Sequence, residues 1–298
     1  ICISDLSGNL LNGKKVVEIS TGVFHTVALD DQGKVYVWGS GLLGNGTDGA
    51  IGNVPICISD ISGNILNGKK VVEISAGLYY TVAIDDQGKV YTWGGNFAGQ
   101  LGSGTNEEYS NIPICISDIS GNILNGKKVV KISAGVSHTV AIDNQGKVYT
   151  WGDNSEGQLG NGTNEEYSNI PIYISDLSGN LLNGKKVVEI SAGFSHTVVI
   201  DDQGKVYVWG NNKYGQLGNG TNEDSNVPIN ITTIMGRIVD ISSALRKVLE
   251  EVHIVILDDQ GKVYTWGDNE YGQLGDGTYE DSNIPICISD LSGNILNG

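Results

Sequence analysis

The chain has 298 residues and a formal net charge of -16, set by 34 acidic against 18 basic side chains. Such a field repels phosphate backbones, which excludes nucleic-acid binding through the bulk surface. No apolar run approaches the roughly 18 residues needed to span a membrane as a helix.

The chain opens Ile1-Cys2-Ile3 without a methionine or charged leader. Any targeting segment is therefore expected to be removed or never present. Cytoplasmic, secreted and cell-surface settings all stay open. Internal repetition organises the rest. A Tyr-x-Trp-Gly segment recurs five times, placing Trp38, Trp93, Trp151, Trp209 and Trp266 at intervals of 55 to 58 residues. These are all the tryptophans, and the prolines Pro55, Pro113, Pro171, Pro228 and Pro285 keep the same beat. A period this regular means copies of one supersecondary unit, none able to bury its apolar face alone. The chain therefore reads as a single array over 1–298, with repeats at about 1–55, 56–113, 114–171, 172–228 and 229–285 and a partial repeat at 286–298.

Taken in chain order, the fourth copy shows the pattern. Val187 to Ser191, Thr197 to Asp201 and Lys205 to Gly210 each alternate β-branched or aromatic residues with polar ones, so each is predicted to be a strand. Asp201-Asp202-Gln203-Gly204 supplies the hairpin turn, with Gly at the position needing positive φ. A fourth strand is predicted for this copy at Pro171 to Ser175, with Pro at its edge. Short strands punctuated by 43 glycines predict an all-β fold, a β-propeller of about 57-residue four-stranded blades with five blades in the chain. Copy five departs from this pattern. Its segment 243–252 places Leu245, Val248, Leu249 and Val252 at helical spacing, with Ser243 as a cap. A short helical insertion carrying Arg246 and Lys247 is expected there, as a plug over an edge or a docking element.

The run Val187 to Thr197 (VVEISAGFSHT), then Gly204 to Gly210 (GKVYVWG) and Gly215-Gln216-Leu217-Gly218, resembles the regulator of chromosome condensation repeat. The last motif recurs at Gly99 to Gly102, Gly157 to Gly160 and Gly272 to Gly275, and copy one replaces it with Gly41-Leu42-Leu43-Gly44. The resemblance covers the whole chain and implies a propeller, commonly of seven blades. Here Ile1 to Gly13 nearly duplicates Ile286 to Gly298, which fits part of a longer array or a five-bladed ring with one redundant end. The family includes exchange factors for a small GTPase, plant ultraviolet photoreceptors and a secreted inhibitor of β-lactamases. The photoreceptors carry tryptophans just before the repeat's His. This chain has Val23, Leu78, Val136 and Phe194 there, which argues against photoreception.

Chemistry is weakly signalled. His25, His138, His196 and His253 recur once per copy, with Tyr80 in the second, as buried hydrogen-bonding residues would. The Ser-His neighbours at 137/138 and 195/196 point to opposite faces of a strand and cannot pair as nucleophile and base. Cys2, Cys57, Cys115 and Cys287 share one repeat position, too far apart for disulfides. They read as half-buried strand residues. No catalytic residue, cofactor or metal is expected. The copies differ instead in the two residues before the repeat's His and in the stretch after Trp-Gly, which are turns, where recognition usually resides. The expected function is thus a non-enzymatic scaffold that binds a protein through one propeller face. Its candidate contact residues are Phe24, Tyr79, Tyr80, Phe97, Phe194, Tyr214, Arg246, Lys247, Leu249 and Tyr271. Two alternatives stand beside it: nucleotide exchange on a small GTPase, and a structural, self-associating module of a larger surface or filament protein.

Overall fold

A computed structural model describes residues 8–231, 236–243 and 252–291. These residues form five four-stranded antiparallel sheets, each in strand order one to four from the inside outward. The first is β1 (Val16–Thr21), β2 (His25–Asp30), β3 (Val35–Gly41) and β4 (Ala50–Cys57). The second is β5 (Val71–Ala76), β6 (Tyr80–Asp85), β7 (Val90–Gly95) and β8 (Tyr109–Cys115). The third is β9 (Val129–Ala134), β10 (His138–Asp143), β11 (Val148–Asp153) and β12 (Tyr167–Tyr173). The fourth is β13 (Val187–Ala192), β14 (His196–Asp201), β15 (Val206–Gly210) and β16 (Ser225–Asn230). The fifth is β17 (Ile238–Ser243), β18 (His253–Asp258), β19 (Val263–Gly267) and β20 (Ser282–Cys287). The expected all-β propeller with four-stranded blades is therefore present.

One strand assignment needs correction. Pro171 to Ser175 is not the fourth strand of the fourth copy. Tyr173 and Ile172 pair with Tyr149 and Thr150, so β12 closes the third blade. The fourth blade is closed by β16, where Asn230 pairs with Tyr207. The reason lies in the connections: the stretch after β12 leaves the sheet through a turn at Ile174 to Leu177 and crosses to the next inner strand. The predicted helix of the fifth copy, with Leu245, Arg246, Lys247, Val248 and Leu249, lies outside the described residues. Ser243, read as its cap, is the last residue of β17.

The core lies between blades rather than within them. Tyr80, Val82, Ile84 and Val90 of the second blade pack against Val129, Ile132, Ala134, Tyr149 and Trp151 of the third. A strand whose two faces are both covered reads as a continuous apolar run, which is why β6 and β7 are buried along their whole lengths. Where no neighbouring blade lies on one side, the same positions open up. Ile19 is 69% exposed although its counterpart Ile74 is 3% exposed, and Val255, Leu257 and Val263 of the fifth blade are half-buried where Val82, Ile84 and Val90 are buried. Consecutive inner strands pack together from β1 on β5 through to β13 on β17. Among the described residues β17 and β1 do not pack in that way.

Three joints hold one blade to the next. First, the indole Nε1 of Trp151, Trp209 and Trp266 donates to the carbonyl of Gln100, Gln158 and Gln216 in the preceding blade, at 2.9, 2.8 and 2.8 Å. All three indoles are fully buried, so each contributes both area and a satisfied donor. Copy one lacks the Gly-Gln-Leu-Gly loop, and Trp93 Nε1 is left without a partner. Trp38, whose blade packs against no preceding blade among the described residues, is half-buried. Second, the repeated histidine reaches a threonine of the following blade: His25 Nε2 lies 2.9 Å from Thr81 Oγ1 and His138 Nε2 3.1 Å from Thr197 Oγ1. Tyr80 takes this role in the second blade, its hydroxyl donating to the His138 carbonyl at 2.5 Å. The next threonine position is Ile254, and both ring nitrogens of His196 are unpartnered. Third, inner strands are linked edge to edge by side chains. Ser20, Ser75 and Ser133 accept from the amides of Ala76, Ala134 and Ala192, each at 2.9 Å.

Burial without a countercharge holds His25 at about 4, His138 at about 3 and His196 at about 4, against an ordinary value of 6.5. A depressed folded-state pKa means their contribution is complete above pH 6.5 and is lost as pH falls toward 4. Glu73 runs the other way, since burial lifts it to about 7. With three histidines against it, the urea midpoint is expected to fall between pH 7 and pH 4.5. His196→Phe removes an orphaned imidazole from a slot that in the second blade holds the six-membered ring of Tyr80. It should leave stability at pH 7 equal or higher and flatten the acid limb, whereas His138→Phe should cost about 1–2 kcal/mol. Equal losses for the two variants would contradict the joint. Similarly, Trp151→Phe should cost about 2–3 kcal/mol and Trp38→Phe clearly less, because only the first empties a sealed, hydrogen-bonded site. Urea titrations of both variants check the difference.

Candidate partner-binding face

Antiparallel order fixes where the variable residues emerge. In each blade the first-to-second and third-to-fourth strand connections leave the same end, here named the loop face. The second-to-third turns and the blade-to-blade connections share the opposite end, the turn face. Two backbone features then hold the loop-face connections in place. The glycine ending the third strand takes a positive φ, +106° at Gly94 and +100° at Gly152, and a Cβ at Gly94 would meet the Tyr79 carbonyl at 2.4 Å. The next amide donates to the carbonyl just before the repeat's His: Ser40 to Phe24 at 2.7 Å, Gly95 to Tyr79 at 2.9 Å, Asp153 to Ser137 at 2.9 Å and Asn211 to Ser195 at 2.8 Å. The two variable stretches of a blade are thereby joined to each other.

A buried asparagine shapes the longer loop from within. Asn154 Oδ1 accepts the Leu159 amide at 3.1 Å while its Nδ2 donates to the Glu165 carbonyl at 2.8 Å. Asn96, Asn212 and Asn269 accept from Leu101, Leu217 and Leu274 in the same way. These loops are ordered before any partner arrives, which lowers the entropy cost of binding.

Several of the candidate aromatic residues stand on this frame. Phe24 and Tyr79 are 51% and 44% exposed and stack across the first two blades, with ring centroids 5.5 Å apart and an interplanar angle of 11°. Phe97 and Tyr271 project at 73% and 60% exposure. Phe194 and Tyr214 are half-buried and line a cleft of about 270 Å³ with Glu156, Ser195, Asn211, Lys213 and Val252. Lys213 Nζ lies 4.9 Å from the centre of the Tyr214 ring. The third blade, with Val136-Ser137 and Ser155, places no aromatic ring at the two stretches that vary between copies.

Tyr80 is a correction. It is fully buried because it occupies the histidine position of the blade joint, and its ring is closed to any partner. Arg246, Lys247 and Leu249 lie outside the described residues. Sequence reasoning also missed three rings: Tyr109, Tyr167 and Tyr279 are 45%, 50% and 75% exposed at or just before the outer strands. Tyr167 shares a cleft of about 160 Å³ with Phe97 and Glu108. The repeated Asn-Glu-Glu-Tyr at 106–109 and 164–167 was the available signal.

The remaining reactive side-chain types sit in structural positions. Cys57 and Cys115 are buried and Cys287 half-buried, all as free thiols. Burial pushes the first two up to about 11, which suppresses the thiolate. The described histidines for which burial sets a low pKa lie in the blade joints, away from the loop-face clefts. Among the described residues there is no group of three or more His, Cys, Asp or Glu side chains arranged to hold a metal ion, and no helix long and apolar enough to cross a membrane.

Comparison with known proteins agrees with this architecture. The RCC1-like domain model matches residues 5–296. The ultraviolet-B receptor UVR8 of Arabidopsis thaliana is 32% identical over 285 residues, covering 95% of this chain and 60% of the receptor. The E3 ubiquitin-protein ligase HERC2 of Homo sapiens is 30% identical over 289 residues, 95% of this chain but 6% of the ligase. The chain thus spans less than two thirds of these relatives. Among solved structures, human WBSCR16 superposes with a TM-score of 0.74 at 25% identity over 92% of this chain and 67% of that one. Prp20p of Saccharomyces cerevisiae superposes with 0.75 at 20% identity, over 94% and 65%. With five four-stranded blades joined through repeated tryptophans and a domain model matched almost end to end, the chain belongs to the RCC1-like domain family.

Proposed function

We propose that this chain is a protein-interaction scaffold that holds a protein partner against the loop face. The observation that carries the reading is the pairing of exposed rings with loops already fixed by backbone hydrogen bonds, as at Phe24 and Tyr79. Rigid aromatic rings give large contact area at small conformational cost and are typical anchors of protein interfaces. Phe97 and Tyr271 lie outside the buried clusters that join the blades, so these rings are spare to the fold. The position that precedes the repeat's His supports binding rather than light capture, since it holds Val23, Leu78, Val136 and Phe194 instead of tryptophan.

The test is affinity capture of partners from the source organism with the wild-type chain, the loop-face variant Phe24→Ala/Phe97→Ala/Tyr271→Ala and a turn-face variant Lys89→Ala/Lys147→Ala. All three loop-face side chains are exposed, so folding should be unchanged in a urea titration. Loss of about 2 kcal/mol per anchor should remove partners from the loop-face variant alone. Partners kept by that variant and lost by the turn-face one would overturn the reading.

A further inference from the structure

The two ends of the propeller differ sharply in charge. On the turn face lysines and aspartates sit together, and the ion pairs Lys34–Asp60, Lys89–Asp118, Lys147–Asp176 and Lys262–Asp290 close at 2.8 to 3.2 Å. One further ion pair, Lys131–Glu189, links the inner strands of blades three and four. The loop face carries carboxylates in every blade, from Asp48 in the first to Glu280 and Asp281 in the fifth, and among its described residues one cation, Lys213. The excess negative charge of the chain, -16 overall, is therefore concentrated on the end that bears the exposed rings.

Rings and carboxylates also share the same clefts. Between blades two and three, Phe97 and Tyr167 line a cleft with Glu108. Across blades three and four, Phe194 and Tyr214 line another with Glu156 and with Lys213, whose ammonium already covers the Tyr214 ring. A flat ring face beside a carboxylate suits an ammonium or guanidinium group, which gains both a cation–π contact and a charge-assisted hydrogen bond. The molecule supplies its own example, with Lys213 Nζ 4.9 Å over the Tyr214 ring. A phosphate-bearing or acidic partner would meet like charge across this face, where Lys213 is the one cation among the described residues.

We infer that the partner presents a lysine- and arginine-rich polypeptide segment, whose cationic side chains enter the Phe97/Tyr167/Glu108 cleft and reach Phe194 and Glu156 in the second cleft. This rests on the proposal that the loop face is the binding face. The aromatic rings define the surface, and charge complementarity selects its occupant. Association should be steered by the acidic field and weaken with salt.

The probe is a short fluorescent peptide alternating arginine and glycine, with matched peptides carrying glutamate or serine in place of arginine. Anisotropy should show binding of the arginine peptide alone, weaker at physiological than at low salt. Phe97→Ala/Phe194→Ala and Glu108→Gln/Glu156→Gln should each weaken it about tenfold. Asp31→Asn/Asp202→Asn, which removes the same formal charge from the turn face, should leave it unchanged. Equal weakening by the turn-face variant, or no weakening by loss of the rings, would reduce the effect to a general polyanion field and overturn the inference. Captured partners supply the second arm. One that needs the loop-face rings, yet is neither displaced by the arginine peptide nor weakened by Glu108→Gln/Glu156→Gln, overturns the basic-segment inference and leaves the binding face standing. A partner indifferent to the rings overturns both.

Discussion

Everything in this fold depends on the contact by which one blade seals the next. A single four-stranded sheet cannot cover both of its apolar faces, so the large side chains are spent between sheets. The indole of Trp151, for instance, fills the interface and finds its hydrogen-bond acceptor, the Gln100 carbonyl, in the blade before it. The same carbonyl accepts from Thr139 at 3.1 Å. Two donors from one blade thus converge on one acceptor of the other, which fixes their register as well as their separation. Departures from the repeat act on this contact directly. The loss of Gly-Gln-Leu-Gly in copy one orphans Trp93 Nε1, and the Ile254 that replaces threonine orphans His196.

Because stability is housed in the joints and in the buried frame of the loops, the exposed rings of the loop face are released from it. Phe24, Phe97 and Tyr271 can change with little cost to the blade contacts, and that freedom is what allows copies with nearly identical strands to differ at these turns. The frame beneath is kept: a glycine at positive φ and an amide stitched across to the other loop in every blade, and in blades two to five a buried asparagine organising the longer connection. Variation is confined to side chains while the backbone that presents them is kept, an arrangement suited to recognition.

The strands and hairpin turns could be read from alternation and from Asp-x-Gln-Gly, because both are local. Blade membership could not. Periodicity supplies a period without a phase, and whether Tyr167–Tyr173 closes one blade or opens the next is decided by pairing with β11. Tyr80 misled for a related reason. Its place at the repeat's buried hydrogen-bonding position outweighs its aromatic character: it is the substitution of one buried ring for another, with the hydroxyl taking over a hydrogen bond to the following blade. Exposed rings at Phe24, Tyr79, Phe97 and Tyr271 were signalled by variation between copies. The charge difference between the two ends was not, since it arises only when antiparallel order brings the third-to-fourth strand loops of all blades to one side.

The most direct test of the account is hydrogen exchange of the chain alone and with a captured partner bound. Protection is predicted in the loop-face connections, around Phe24, Tyr79, Phe97, Phe194 and Tyr271, with the Asp-x-Gln-Gly turns of the opposite end unchanged. Protection confined to those turns, or to the strands of the first and fifth blades, would contradict it.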